Sequence, residues 1–337
     1  MDISKFSYNL PPRFIAQKPL AQRDKAKLMV LDRSKKDIRH DYFFNLGHYL
    51  KPNDCLVLNE SKVQKCRLMG TKENTGAKIE CFVLEKIKKN SYLVLLKPSK
   101  RLEEGTRVYI GEHWFVVKDK KDKGKAVVEF DTDVPVLFEK YGLVPLPPYI
   151  KNSHIEEKDY QTVYARIEGS AAAPTAGLHF TGSLMDRLRA KGIIFAYVGL
   201  DIGIDTFRPI RESNIEDHQI HSEHYYLNQD QAGIINGARN KGGKIIAVGT
   251  TTTRVLETVM EKHQRITADK GQTSLYIYPG YQFKAIDGMI TNFHLPQSSL
   301  LVMVSAFAGT DYILRSYREA KRKDYRFFSF GDCMLIN

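Results

Sequence analysis

The feature that most limits what this chain can fold into is a change of rhythm along it. Up to about residue 66, and again past Lys151, short apolar strands alternate with helical stretches, which is the pattern of an α/β layer. In between, apolar runs at 79–84, 92–96, 107–110, 114–117 and 126–130 follow one another, separated by Lys, Gly, Asn and Asp. Strands at such close spacing mark a small barrel or sandwich. The chain therefore reads as a discontinuous α/β domain, 1–66 and 150–337, with a mixed, partly barrel-like sheet. It carries an inserted antiparallel β-barrel-like domain at 67–149. The insert ends in a helix at Val134–Tyr141 and a stiff proline-rich connector, Gly142–Tyr149.

Composition limits the class of function. In 337 residues, 51 Lys and Arg stand against 39 Asp and Glu, a formal charge of +12. Such a surplus suits a polyanion such as RNA, although it also serves plain solubility. Cys55, Cys66, Cys81 and Cys333 contain no Cys-x-x-Cys pair, which argues against a zinc ribbon and a disulfide framework. No basic segment followed by an apolar run opens the chain, and no uncharged stretch is long enough to span a bilayer. A cytoplasmic, monomeric protein with no obligate protein partner is the expectation.

Several stretches could carry chemistry. Glu168–Thr181 sets Gly169, Pro174 and Gly177 among residues no larger than Thr, so a ligand can approach the backbone closely. Directly after them, strand-like alternation would turn His179 away from Leu178 and Phe180, to the lip of an open pocket; a structural loop with a hydrogen-bonded histidine is the other reading. Gly249-Thr-Thr-Thr-Thr-Arg254 stands between a strand at Lys244–Val248 and a helix at Arg254–His263. Free amides, Thr hydroxyls and a bidentate Arg254 could hold an anion there, or the threonines simply cap the helix. His218, His221, Glu223 and His224 lack the His-Glu-x-x-His pattern, so no metal is expected, and proton transfer or solvated loop positions are the two readings. Asn292 and His294, set between apolar neighbours, require either a structural network or a ligand. Asp332 is similarly ambiguous, and Lys97, Lys100 and Arg101 form a basic turn in the insert. Strands are also expected at Leu275–Tyr278 and Ala285–Asn292, and a buried helix at Ser298–Ala308 closed by Gly309.

Taken in order, these segments resemble the S-adenosylmethionine:tRNA ribosyltransferase-isomerase family of the bacterial queuosine pathway. The resemblance rests on Ile15-Ala-Gln17, Val57-Leu-Asn59, Pro145-Leu-Pro-Pro-Tyr-Ile150, Tyr160-Gln-Thr-Val-Tyr164, and Ala172-Ala-Pro-Thr-Ala-Gly-Leu-His-Phe180. It continues through Glu216-Asp-His218 with His221-Ser-Glu223, Val248-Gly-Thr-Thr251 with Arg254, and Ile277-Tyr-Pro-Gly280. It closes with Thr291-Asn-Phe-His-Leu-Pro296, Ser305-Ala-Phe-Ala-Gly309 and Tyr325-Arg-Phe-Phe-Ser329 with Gly331-Asp332. The chain departs from the family pattern at Asp201, where a histidine is usual, and at Asp205, where a glycine is usual.

The resemblance implies that the ribosyl carbons of S-adenosylmethionine pass to 7-aminomethyl-7-deazaguanine at the tRNA wobble position. Epoxyqueuosine-tRNA forms, and adenine and methionine leave. On that footing, residue chemistry assigns proton transfer to His179, with His218, His221 and Glu223 as a second relay or as the holders of the substrate amine. Ala173, Pro174, Thr175 and Gly177 would enclose the adenosyl group, and Gly249, Thr250, Thr251 and Arg254 the methionine end. Asn292, His294 and Asp332 would meet the base, and Lys97, Lys100, Arg101 and Lys151 the tRNA phosphates. No early glycine-rich turn of the ordinary methyltransferase kind is present.

Overall fold

The structure, a computed structural model, describes residues 1–151, 155–203 and 209–337. Asp205 lies outside the described residues. Residues 1–62 and 147–337 form one compact unit and residues 63–146 another, against boundaries of 67 and 149 read from the sequence. Along the chain come β1 (Lys27–Asp32), β2 (Asp37–Tyr42), β3 (Cys55–Asn59) and β4 (Ser61–Val63). The insert supplies β5 (Arg67–Lys72), β6 (Lys78–Lys88), β7 (Ser91–Lys97), β8 (Arg107–Ile110), β9 (His113–Lys120), β10 (Lys125–Phe130) and helix α1 (Val134–Tyr141). There follow β11 (Ile167–Ser170), α2 (Gly182–Ala190), β12 (Ile194–Leu200), β13 (Glu223–Leu227), α3 (Gln229–Asn240) and β14 (Ile245–Val248). The chain finishes with α4 (Thr250–His263), β15 (Asp269–Thr273), β16 (Gly288–Asn292), α5 (Ser299–Ala308), α6 (Thr310–Arg322) and β17 (Cys333–Ile336).

In the larger unit nine strands run in the order β15-β13-β12-β3-β14-β16-β17-β1-β2. The run β12-β3-β14-β16 is parallel throughout. Every residue of β3, β14 and β16 is buried, as a parallel sheet covered on both faces requires. Cys55, Val57, Ala247 and Met289 pack into one core, while Leu56, Leu58, Ile246, Val248 and Ile290 pack into the other. The strand period of two thus divides each apolar run between two layers. The carboxyl ends of the four parallel strands lie along one edge, where α/β sheets take their ligands.

The insert is a closed six-stranded barrel in the order β10-β7-β6-β5-β8-β9, with its own core of Leu68, Cys81, Val94, Phe115 and Phe130, among others. The insert thus closes into the barrel expected of it, while the large mixed sheet runs as a nine-stranded ladder from β15 to β2. Cys55, Cys66, Cys81 and Cys333 are all buried and none forms a disulfide.

Some local expectations need correction. Leu178–Phe180 is not a strand: Pro174 opens a tight 3-10 turn, Thr175–His179, in which the Gly177 amide donates to the Pro174 carbonyl at 2.8 Å. Helix α2 is capped by Thr181, whose hydroxyl oxygen accepts from the Leu184 amide at 3.2 Å. Helix α4 begins at Thr250, so the threonines form its first turn. Leu275–Tyr278 pairs with no strand among the described residues: the Leu275 amide donates to the Thr273 hydroxyl and its carbonyl accepts from Arg254.

Candidate active site

Each of the four parallel strands ends in polar chemistry. Beyond β14, Gly249 adopts φ +95°, in the left-handed region that favours glycine, and lets the chain swing directly into α4. No side chain among the described residues caps this helix, so the first-turn amides of Thr250, Thr251 and Thr252 lack intrahelical partners. The Thr252 and Thr253 hydroxyls bond back to the carbonyls of Val248 and Gly249. By contrast, the buried Thr251 hydroxyl oxygen has no hydrogen-bond partner among the described residues.

Above these strand ends lies an open cleft of about 630 Å³. One wall is small: Ala173, Pro174, Thr175 and Ala176. The others carry Gly249, Thr250, Thr251, Asn292, His294 and Ser298, with Tyr149, Ile202, Phe293 and Phe328 as apolar or aromatic surface. A smaller recess of about 380 Å³ adjoins it, sharing Thr250, Thr251 and Leu300 and adding His221, Glu223, Arg254 and Tyr276. A third hollow of about 250 Å³, lined by Arg23, His179 and Arg326 among others, meets the cleft at Ser329.

The structure brings many of the expected residues together. Ala173, Pro174 and Thr175 line the cleft, but Gly177 does not: a Cβ there would stand 1.8 Å from the Tyr164 hydroxyl, so glycine is needed for packing. Arg254 cannot serve a ligand as a bidentate partner. Its Nε donates to the Leu275 carbonyl at 3.0 Å, one Nη to the carbonyls of His221 (2.8 Å) and Thr273 (3.0 Å), and the other Nη to Glu223. Glu223 in turn accepts from His221 Nε2 at 2.9 Å and from the Gly203 amide at 2.8 Å. Burial works to raise the Glu223 carboxyl, but the His221 hydrogen bond and the Arg254 charge outweigh it and hold it below its ordinary value. Arg254 is thus the lock that aims Glu223 and His221 into the recess.

His218 stands apart from these hollows, bonded to Glu212 at 2.9 Å and edge-on to Tyr276. His179 is not at the lip of the cleft. The residue is 4% exposed, its ring packed on Phe43 and hydrogen-bonded to Asn292, which itself lines the cleft. Burial, helped by the charges of Arg326 and Arg23, pushes its pKa down to about 3. His294 lines the cleft and bonds the Thr291 hydroxyl at 2.9 Å, with its pKa also pushed down to about 3 by burial.

Asp332 does not reach the cleft: its carboxylate ties the amides of Lys27 (2.9 Å) and Arg326 (2.7 Å), a structural duty. Lys97, Lys100 and Arg101 are exposed in the insert, and Lys151 is exposed in the larger unit. At Asp201, burial pushes the carboxyl up. A Cβ on Gly169 would come within 2.5 Å of its Oδ1, so the glycine makes room for that carboxylate.

Sequence reasoning missed Tyr149, Ile202, Ser298, Leu300 and Phe328 as wall residues. Phe328 carries a positive φ of 71°, unusual for a bulky residue, and it is the backbone on which Asn292 is hung. Nothing in a side-chain pattern announces that conformation.

The description "Queuosine biosynthesis protein" belongs to the family profile that matches residues 3–336. Among curated relatives, an S-adenosylmethionine:tRNA ribosyltransferase-isomerase from Staphylococcus saprophyticus is 46% identical, and one of the same name from Caldanaerobacter subterraneus is 49% identical. Each alignment covers 100% of both chains. A crystal structure titled S-adenosylmethionine tRNA ribosyltransferase from Thermotoga maritima is 37% identical, with a TM-score of 0.59, covering 99% of this chain and 100% of that one. The chain is therefore an enzyme, and it belongs to the queuosine biosynthesis protein family.

Proposed function

We propose that the cleft and its adjoining recess bind S-adenosylmethionine, and that the enzyme transfers and isomerises its ribosyl group onto 7-aminomethyl-7-deazaguanine at the wobble position of tRNA. One observation carries the reading: the cleft passes into the recess at the start of α4, where, among the described residues, no side chain caps the helix and the Thr251 hydroxyl has no partner. A nucleoside with a carboxylate tail fits that sequence of surfaces. The small wall Ala173–Ala176 admits the flat adenosyl group, and the amides of Thr250 and Thr251 suit an anion, as helix N-termini do. Arg254 supports the methionine end indirectly, through the Glu223 it holds.

The chemistry asks for a base near the carbon beside the sulfonium and an acid for adenine. Among the described residues of cleft and recess, His221 and Glu223 form a hydrogen-bonded imidazole–carboxylate pair on the wall of the recess, the usual means of orienting a histidine for proton transfer. Asn292 and His294, which line the cleft, would meet the adenine or the wobble base. Exposed Lys97, Lys100, Arg101 and Lys151 supply charge for tRNA phosphates.

The test is a chromatogram of spent S-adenosylmethionine after incubation with tRNA bearing the precursor base. Adenine and methionine, released together with a modified tRNA nucleoside, are expected. S-Adenosylhomocysteine as product would make the protein a methyltransferase, and tRNA binding without turnover would leave an RNA-binding module; either overturns the proposal.

A further inference from the structure

One short helical turn grips a single amide from both sides. Thr175 and His179 stand at the two ends of the 3-10 turn Thr175–His179, and both reach the side chain of Asn292 at the end of β16. The Thr175 hydroxyl donates to Asn292 Oδ1 at 3.1 Å. Asn292 Nδ2 is 3.2 Å from the Phe328 carbonyl and 3.2 Å from His179 Nε2.

A carbonyl oxygen can only accept, so the Phe328 carbonyl fixes which end of the amide is nitrogen. With Nδ2 the donor on that side, His179 Nε2 must accept, and the imidazole must be neutral with its proton on Nδ1. Two guanidinium groups, Arg23 and Arg326, border the hollow on which His179 lies, and the ring of Phe43 packs on the imidazole, with Phe180 edge-on to Phe43. That surrounding opposes an imidazolium, and the ring's strongly lowered pKa agrees. The chain of roles then ends in the cleft. Thr175 is partly exposed there, its only hydroxyl hydrogen is committed to Asn292, and what it offers a ligand is lone pairs.

We propose that His179 is a positioning residue which, with the Phe328 carbonyl, fixes the Asn292 amide and so presents Thr175 to the cleft as a hydrogen-bond acceptor, selecting a nucleoside that brings a hydroxyl or amino hydrogen to that point. The proposal rests on the reading that the cleft takes S-adenosylmethionine, whose ribose hydroxyls and adenine amine are the two sources of such a hydrogen.

The experiment uses the full-length enzyme. Calorimetry compares S-adenosylmethionine with analogues lacking a ribose hydroxyl or the adenine amine, on wild type and Thr175→Val. One class of analogue should bind wild type roughly 2- to 10-fold more weakly, the worth of one neutral hydrogen bond, and Thr175→Val should no longer distinguish it. In parallel, His179→Gln, which restores an acceptor for Asn292, should keep turnover within about tenfold and leave the pH profile of kcat unchanged. A proton carrier at this position would lose about 10²- to 10⁴-fold together with one limb of that profile. The proposal is overturned if His179→Gln behaves in that second way, or if Thr175→Val discriminates among the analogues as wild type does. Failure of the S-adenosylmethionine reading shows separately, as no binding heat with wild type; should the His179 substitution prevent folding, the Thr175 arm still decides.

Discussion

At the scale of single residues, the strongest constraint is the buried pair Glu223 and Arg254, whose side chains are 3% and 6% exposed. Glu223→Gln would leave a guanidinium without its counter-charge, and removing one partner of a buried pair costs about 3–5 kcal/mol. The Glu223 carboxyl is held below its ordinary 4.5 in the fold, so its contribution is complete above that value and is lost as pH falls through the lower folded value. Urea unfolding at pH 7 and at pH 3.5 should therefore show the gap between wild type and Glu223→Gln narrowing in acid; a gap independent of pH would contradict the ion-pair account. His179 and His294 run the same way for a different reason. Both are neutral and buried, pushed down to about 3 from an ordinary 6.5, so stability is complete above 6.5 and falls as pH drops toward 3. Each contributes a slope of about 1.4 kcal/mol per pH unit over that window. His294→Gln should flatten the acid limb of a stability–pH curve by roughly half of this two-histidine slope, and an unchanged limb would show that His294 stays solvated. Residue types on the cleft wall were legible because Asn, His and Thr stood among apolar neighbours. Arg254 was misread, because sequence shows a guanidinium but not the three backbone carbonyls that occupy it.

At the scale of elements, the turn Thr175–His179 sits against the segment that precedes β11, with Gly177 packed under Tyr164. A Cβ at Gly177 would meet the Tyr164 hydroxyl at 1.8 Å and its ring at 2.9 Å, so Gly177→Ala should be strongly destabilising. That hydroxyl is buried with no partner among the described residues. Tyr164→Phe should then be neutral or slightly stabilising in thermal melts, and should recover part of the stability that Gly177→Ala removes. A Tyr164→Phe variant that melts well below wild type would mean the hydroxyl is satisfied. Apolar strands were easy to read: β3, β14 and the barrel strands carry continuous or alternating runs. Strand β2, Asp37-Ile-Arg-His-Asp-Tyr42, was not, because an edge strand with almost no buried side chain leaves no hydrophobic pattern to find. The site turn itself was taken for a strand, since three alternating residues fit either period and only the backbone bond from Gly177 to Pro174 decides between them.

At the scale of the whole molecule, the division into an α/β unit and a closed barrel follows from the two rhythms of the sequence, each with its own apolar core. The charge of +12 bears on the proposed tRNA partner. Replacing Lys97, Lys100 and Arg101 by Gln should lower the slope of log affinity for tRNA against log salt by about 0.7–0.9 for each phosphate that is no longer neutralised, with S-adenosylmethionine binding unaffected. An unchanged slope would remove this turn from the interface. The buried cysteines give the two units a common clock. Cys66 and Cys81 lie in the barrel, Cys55 and Cys333 in the α/β unit. A thiol-reactive dye can label each only when its surroundings come apart, so the order in which peptides pick up dye under native conditions reports which unit opens first.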